Sequence, residues 1–186
     1  MRHPDRVQSS LVVVTGPPGA GKSTVARELA GAFPASAVVR GDDFFAFVSA
    51  GWIEPWLPEA HRQNEVVLGA AAAAAGRFVA GGYTVVYDGV VGPWFLPTFA
   101  PATGLDEFAY AVLLPPEDVC VSRVGTRTGH GFTDSDATRH MYRQFAEAGV
   151  DRRHVLRDPS SDPAALAAEI VDRLGRGLLR YNSRCG

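Results

Sequence analysis

The chain has 186 residues, of which 46% are hydrophobic and 20% charged, and its formal net charge is −2. This length is enough for one domain with a sizeable core, and the lack of basic excess argues against a nucleic-acid partner. The two cysteines, Cys120 and Cys185, predict neither a zinc site nor a structural disulfide. The polar N-terminus lacks a signal-peptide core and the alanine-rich run is too short to span a bilayer, so we expect a cytoplasmic protein with no membrane partner.

Apolar runs and helical patterns alternate along the chain. The predicted strands cover residues 11–14, 37–39, 84–87, 109–114 and 154–156. The predicted helices cover residues 23–33, 59–80, 117–127, 134–148 and 163–179, and residues 51–58 predict an ordered, irregular loop. The alternation predicts an α/β fold, in which a five-stranded parallel sheet carries helices on both faces. We expect one domain over residues 1–186, with flexible tails at 1–10 and 181–186.

The segment after the first predicted strand fits G-x-x-x-x-G-K-[S/T] at every fixed position. Its glycines let successive backbone N–H groups point into one concavity, and the following helix adds the positive end of its dipole. Lys22 is the only lysine of the chain and is expected to reach the β- and γ-phosphates, while the Ser23 hydroxyl is expected to bind Mg²⁺. The predicted nucleotide-binding residues are Gly16, Pro17, Pro18, Gly19, Ala20, Gly21, Lys22, Ser23 and Thr24.

This motif, between an apolar strand and a helix, resembles the P-loop small-molecule kinases, which include chloramphenicol phosphotransferase, gluconate kinase, uridine kinase and polynucleotide 5′-kinase. The resemblance implies a P-loop NTPase fold of three layers with a short lid, and ATP and Mg²⁺ as cofactors. It also implies a small-molecule hydroxyl as phosphoryl acceptor. A guanine-reading Asn-Lys-x-Asp motif is absent, which favours ATP over GTP. The oligomeric state stays open.

Two adjacent aspartates, Asp42 and Asp43, follow the second predicted strand, and Phe44 completes an Asp-x-hydrophobic pattern. The resembled kinases place a catalytic aspartate here, so the resemblance implies that Asp42 accepts the proton of the acceptor hydroxyl. Asp43 is the competitor, because adjacent residues leaving a strand tend to point in opposite directions. The alternative is that both aspartates cap the following helix.

Asp88 ends the third predicted strand. Ligands of doubly wound sheets bind beyond the carboxyl ends of the strands, so Asp88 is a candidate for Mg²⁺ or a substrate hydroxyl; the alternative is a turn aspartate. Segments that would flank the same cleft supply further candidate substrate contacts. They are Asp43, Trp52, Trp56, Gln63, Asn64 and Trp94, and for the last five of these core packing or solvated surface is the alternative.

Arg123 and Arg127 are four residues apart and share a helix face. The resembled kinases close a lid over the phosphates here, which implies that both arginines stabilise charge on the transferring group. The alternative is a pair of surface arginines. Arg157 follows the last predicted strand, in the loop that lies beside adenine in the resembled family.

The sequence therefore predicts an ATP-dependent phosphotransferase that acts on a metabolite or an antibiotic. A 5′-hydroxyl polynucleotide kinase is one alternative, and the acidic balance argues against it. A regulatory NTPase that hydrolyses ATP is another. Asp42, the aromatic segment and the short lid favour an acceptor other than water.

Overall fold

The structure, a computed structural model, describes residues 10–126, 134–157 and 162–183. Its strands are β1 (Leu11–Thr15), β2 (Ser36–Arg40), β3 (Thr84–Asp88), β4 (Glu107–Leu113), β5 (Val155–Leu156) and β6 (Arg180–Asn182). Its α-helices are α1 (Lys22–Ala30), α2 (Gly41–Phe45), α3 (His61–Ala80), α4 (Leu96–Ala102), α5 (Glu117–Thr126), α6 (Ser135–Glu147) and α7 (Pro163–Gly175). Short 3₁₀ turns cover Pro58–Ala60, Pro93–Phe95 and Arg152–His154.

Five parallel strands form the sheet in the order β2-β3-β1-β4-β5, which confirms the predicted parallel α/β architecture. A sixth strand that the sequence did not predict, β6, pairs antiparallel with β4. It covers Glu107 to Ala109, the part of the β4 edge that β5 leaves open, since β5 pairs only with Val112 and Leu113. The prediction of a flexible tail is therefore wrong for residues 181 and 182.

The central strand β1 is buried on both faces, as an unbroken apolar run predicts. Leu11 and Val13 belong to a core shared with α3 and α4, whereas Val12 and Val14 belong to a core shared with α1 and α7. Alternate side chains of one strand thus reach opposite faces of the sheet. The result is the three-layer arrangement that the alternation of elements predicts.

Two helices were not predicted, α2 directly after β2 and α4 after β3. Residues 46–57 contain neither helix nor strand, which confirms the irregular loop, and α3 begins at His61 after a 3₁₀ turn. The last helix ends at Gly175, four residues before its predicted end. Within the described ranges, no helix has both the length and the apolar character needed to cross a membrane.

Candidate active site

Three predicted site segments meet at the carboxyl edge of the sheet. The phosphate loop follows β1, α2 follows β2, and Asp88 is the last residue of β3. Parallel pairing aligns Asp88 with Val14 on one side and with Arg40 on the other. Because these strands are adjacent and run the same way, their ends bring the loop and the acidic residues together.

The phosphate loop packs directly on the backbone of its neighbours. Gly16 and Gly19 have φ angles of 143° and 78°, in the region that favours glycine. A Cβ on Gly16 would overlap the carbonyl oxygen of Leu113, and one on Gly19 would overlap that of Cys120. Only a side-chain-free backbone fits here, which is what a nest of N–H groups for phosphate oxygens requires.

Lys22 and Ser23 open α1 beside Asp88. The Lys22 ammonium donates to the carbonyl oxygen of Pro17 at 3.0 Å, across the loop. Burial raises the pKa of the Asp88 carboxyl, while a hydrogen bond from the Ser23 hydroxyl and the charge of Lys22 act in the opposite direction. A serine hydroxyl and a carboxylate are hard oxygen donors of the kind that Mg²⁺ takes alongside water. The donor set therefore fits the predicted magnesium site.

Both aspartates after β2 lie in the first turn of α2. The N-cap of this helix is Arg40, without a side-chain cap hydrogen bond, so the capping alternative does not describe them. The Asp43 carboxylate lies 3.3 Å from the Arg40 guanidinium. The Asp42 charge, by contrast, contributes to raising the pKa of both Tyr87 and Asp88. Asp42 thus lies near the end of β3, whereas Asp43 has an ionic partner.

Two cavities meet at Gly21 of the phosphate loop. The first, of about 350 Å³, lies between the loop, α5 and the start of α7, with Leu156 and Pro163 in its wall. The second, of about 710 Å³, lies on the side of α2 and α3. The predicted residues that line the second cavity are Pro18, Gly21, Lys22, Ser23, Asp42, Asp43, Trp52, Trp56, Asn64, Asp88 and Trp94.

Gln63 does not line this cavity. Its side-chain amide donates to the carbonyl of Ile53 at 2.7 Å and accepts from the N–H of Ile53 at 2.9 Å. Asn64 also holds the loop, because its Nδ2 donates to the carbonyl of Pro55 at 2.7 Å. Gln63 is therefore an anchor of the aromatic loop and not part of the wall of the second cavity.

Several lining residues were not predicted. Phe45 and Tyr87 are sequence neighbours of the predicted aspartates, so proximity in sequence could have pointed to them. His61, which stacks on Phe95 with ring centres 5.4 Å apart, carries no local signal. Three residues of α6 complete the wall, and only tertiary packing brings them there. They are His140, Met141 and Gln144.

The predicted arginines have separate positions. The Arg123 guanidinium donates to the carbonyl of Gly19 at 3.2 Å and lines the first cavity. Arg127 and the lid that should carry it fall in residues 127–133, outside the described residues. Arg157 is exposed and follows Leu156, a wall residue of the first cavity, but does not itself line that cavity. Its contact with adenine stays a prediction.

The comparisons agree with this arrangement. A family model described as an AAA domain matches residues 11–149. Tunicamycin resistance protein from Deinococcus radiodurans is similar in structure, with TM-score 0.67, 16% identity, and coverage of 90% of this chain and 96% of that chain. A sugar kinase from Janibacter sp. HTCC2649 gives TM-score 0.66 and 19% identity, and the likeness covers 90% of this chain and 95% of that chain.

A gluconokinase from Sinorhizobium meliloti gives TM-score 0.62 and 22% identity, covering 94% of this chain and 95% of that chain. A search of curated protein sequences finds no significant match. At these identities the structural likenesses demonstrate a shared fold. The family model, however, spans the phosphate loop, both aspartates, Asp88 and α6. The chain is therefore a P-loop kinase-like domain that belongs to the AAA domain family.

Proposed function

We propose that this protein is a kinase that moves the γ-phosphoryl group of Mg·ATP to a hydroxyl of a small molecule, a metabolite or an antibiotic. The observation that carries the proposal is the second cavity. It contains Asp42, touches Lys22 and Ser23, and is walled by Trp52 and Trp94. Transfer to water requires no aromatic-walled space of this size, whereas an organic acceptor does.

Each side of the phosphate loop then has its own task. The first cavity suits the base and ribose of the nucleotide, and the loop with Lys22 suits its phosphates. Ser23 and Asp88 would hold Mg²⁺, which supplies charge neutralisation at the phosphates when bound. Arg123, fixed against Gly19, adds a guanidinium beside the loop. We further propose that Arg127 contributes from a short lid.

Asp42 has the environment of a proton acceptor for the acceptor hydroxyl. Its carboxylate is exposed and borders the second cavity, while Asp43 pairs with Arg40. A carboxylate that orients the hydroxyl and takes its proton assists in-line attack on the phosphoryl group. A single domain in the cytoplasm, where ATP is available, accords with this activity.

The AAA domain match favours one second candidate, a regulatory NTPase that hydrolyses ATP without an organic acceptor. A polynucleotide acceptor has less support. Arg40 is the one arginine among the described residues that line the second cavity, and it pairs with Asp43. A nucleic-acid track needs a series of such cations.

Conservative replacement of the two aspartates tests the proposal. Hydroxylated metabolites and antibiotics are first screened for acceptance of the labelled γ-phosphoryl group. With the best acceptor, Asp42→Asn should lower transfer by about 10²–10⁴-fold, the range for a lost general base, while Mg·ATP binding in calorimetry persists. Asp43→Asn should lower transfer by less than about tenfold, because only the pair with Arg40 is lost.

Lys22→Ala is the control for nucleotide binding. It should weaken both ATP binding and transfer, because it removes the positive charge that stabilises the phosphates. ATP hydrolysis that no screened compound alters, and that Asp42→Asn leaves intact, would support the regulatory NTPase instead.

A further inference from the structure

Two side chains of the second cavity bury polar atoms that have no hydrogen-bond partner among the described residues. They are the Oδ1 atom of Asn64 and the hydroxyl of Tyr87. Asn64 is 7% exposed and Tyr87 is fully buried. An unpaired buried polar group costs about 1–3 kcal/mol, so folded proteins keep few of them. A ligand that pairs with both atoms in the wall of this cavity would remove that cost.

The hydrogen-bonding roles of the two atoms follow from their surroundings. The Nδ2 atom of Asn64 donates to the carbonyl of Pro55, and a carbonyl accepts only from a donor, so the other atom of the amide is the acceptor Oδ1. A tyrosine hydroxyl is a hydrogen-bond donor, so the Tyr87 hydroxyl can donate to a ligand atom.

The Tyr87 hydroxyl lies against the residue that precedes the proposed base. A Cβ on Gly41, the residue before Asp42, would overlap the Tyr87 hydroxyl. The ring of Phe99 packs edge-on against the Tyr87 ring at 4.8 Å and fixes its orientation. A ligand that pairs with this hydroxyl therefore lies close to Asp42.

The charges of the cavity oppose an anionic ligand. Its described lining includes the carboxylates of Asp42, Asp43 and Asp88, against the cations of Lys22 and Arg40. Lys22 belongs to the phosphate loop, and the pair of Arg40 with Asp43 is neutral as a whole, which leaves the carboxylates of Asp42 and Asp88 to face the acceptor. A further carboxylate or phosphate on the acceptor would thus meet an acidic wall.

The rim of the cavity is apolar. Trp52 and Leu57, both lining residues, are 47% and 40% exposed. The Trp52 ring meets Phe45 edge-on at 5.9 Å, so the rim is an aromatic surface. Covering such groups with an apolar ligand face removes them from water, which favours binding.

Building on the phosphotransferase function above, we propose that the acceptor is an uncharged alcohol with one apolar or aromatic face, held by Asn64 and Tyr87. Asn64 accepts a hydrogen bond from an O–H or N–H of the acceptor. Tyr87 donates one to an oxygen or nitrogen of the acceptor near Asp42. The two residues are specificity determinants for a neutral, hydrogen-bonding compound.

Tryptophan fluorescence tests this inference without nucleotide or turnover. All three tryptophans of the chain line this cavity, so a ligand there should change the emission. Matched pairs of probes differ in one charged group: phenyl β-glucoside against phenyl β-glucuronide, and thymidine against thymidine 5′-monophosphate. The neutral member of at least one pair should bind about tenfold or more tightly than its anionic partner. No binding by either neutral probe, or anionic members that bind as tightly, would overturn the inference.

Tyr87→Phe removes only the unpaired hydroxyl. The melting temperature should stay equal or rise, because no hydrogen bond within the protein is lost. Affinity for the better neutral probe should fall on the order of tenfold, the effect of one hydrogen bond and the desolvation of its partner. Unchanged affinity would remove Tyr87 from the recognition of the acceptor.

Asn64→Ala should also weaken the neutral probe. Its matched control is Gln63→Ala, which loosens the same loop at Ile53 without removing an atom of the cavity wall. The control should keep most of the affinity. Equal losses in the two variants would mean that Asn64 acts only by holding the loop, which contradicts its role as a ligand contact.

The outcomes separate this inference from the proposed function. If a neutral probe binds through Tyr87 but no alcohol accepts the phosphoryl group, the inference holds and the kinase proposal fails. If only anionic alcohols are phosphorylated, the kinase proposal holds and the inference fails.

Discussion

Burial and the neighbouring charges act in opposite directions on the carboxyl group of Asp88. Its carboxylate ends a fully buried strand, and burial disfavours its charged form. Ser23 and Lys22 favour the charged form, while Asp42 opposes it. Titratable groups with such opposed influences cluster at functional sites, because catalysis and metal binding need charge where folding alone would avoid it.

Asp88→Asn should therefore stabilise the protein at neutral pH when a chelator removes divalent cations. The ordinary pKa of an aspartate is 3.8, and the pKa of folded Asp88 is raised. The folded state therefore favours the protonated carboxyl of Asp88. The stability that this gives is fully present below pH 3.8 and is lost as the pH rises through the pKa of the folded state. Thermal unfolding at a series of pH values should show that the variant melts at a higher temperature than the wild-type protein at neutral pH. The difference in melting temperature should vanish below pH 3.8.

With Mg·ATP added, the wild-type protein should melt at a higher temperature than Asp88→Asn. The wild-type carboxylate can hold the cation, whereas the asparagine variant holds it less well. A wild-type protein that melts above the variant at neutral pH in chelator would show that Ser23 and Lys22 outweigh burial.

At the scale of elements, helix α3 connects the core to the aromatic loop. Its alanines Ala71, Ala72 and Ala75 are fully buried, so small side chains let it lie close to the sheet and to α4. Gly76 brings it closest: a Cβ there would overlap the carbonyl of Thr103, which follows α4. Gly69, on the same helix, has open space around its Cβ position.

Gly76→Ala and Gly69→Ala should thus have opposite effects on the free energy of unfolding. Gly69→Ala should stabilise by up to about 1 kcal/mol, the helix propensity of alanine over glycine. Gly76→Ala should destabilise by about 1–3 kcal/mol, since the backbone of Thr103 must move and the overlap exceeds the propensity gain. Urea denaturation of the two variants measures both values, and an equal gain in both would contradict the close approach.

At the scale of the whole molecule, the sheet is completed by residues far apart in sequence. Leu179 precedes β6 and is fully buried in the core that contains Val12 and Ile170. Tyr181, in β6, packs its ring 5.1 Å from that of Phe108 in β4. The C-terminal segment therefore buries side chains on both faces of the sheet at β4, the strand with which β6 pairs.

Leu179→Ala should cost about 2–5 kcal/mol of unfolding free energy, the range for a large-to-small change in a core. Val171→Ala is the control, because Val171 on α7 is 39% exposed, and it should change stability by no more than about 0.5 kcal/mol. Chemical denaturation gives both values. A loss at Leu179 as small as at Val171 would mean that the C-terminal segment does not support the core.

The phosphate loop, Lys22 and the parallel sheet could be predicted from the sequence because their signals are local. An apolar run of four residues, glycines at fixed offsets and one lysine lie within a dozen consecutive positions, and short-range sterics decide their conformation. The third strand ending at Asp88 is a signal of the same kind. None of these needs knowledge of distant contacts.

Only the tertiary structure decided how the acceptor side is assembled. Asp42 differs from Asp43 because Arg40 pairs with Asp43, whereas Asp42 lies near the end of β3. Tyr87 belongs to the third predicted strand, but its hydroxyl lies against Gly41, which is 46 positions away. Pairing of β6 with β4 likewise joins residue 182 to residue 107. Such contacts depend on which surfaces remain uncovered after the core has formed, and no local pattern of residues encodes that.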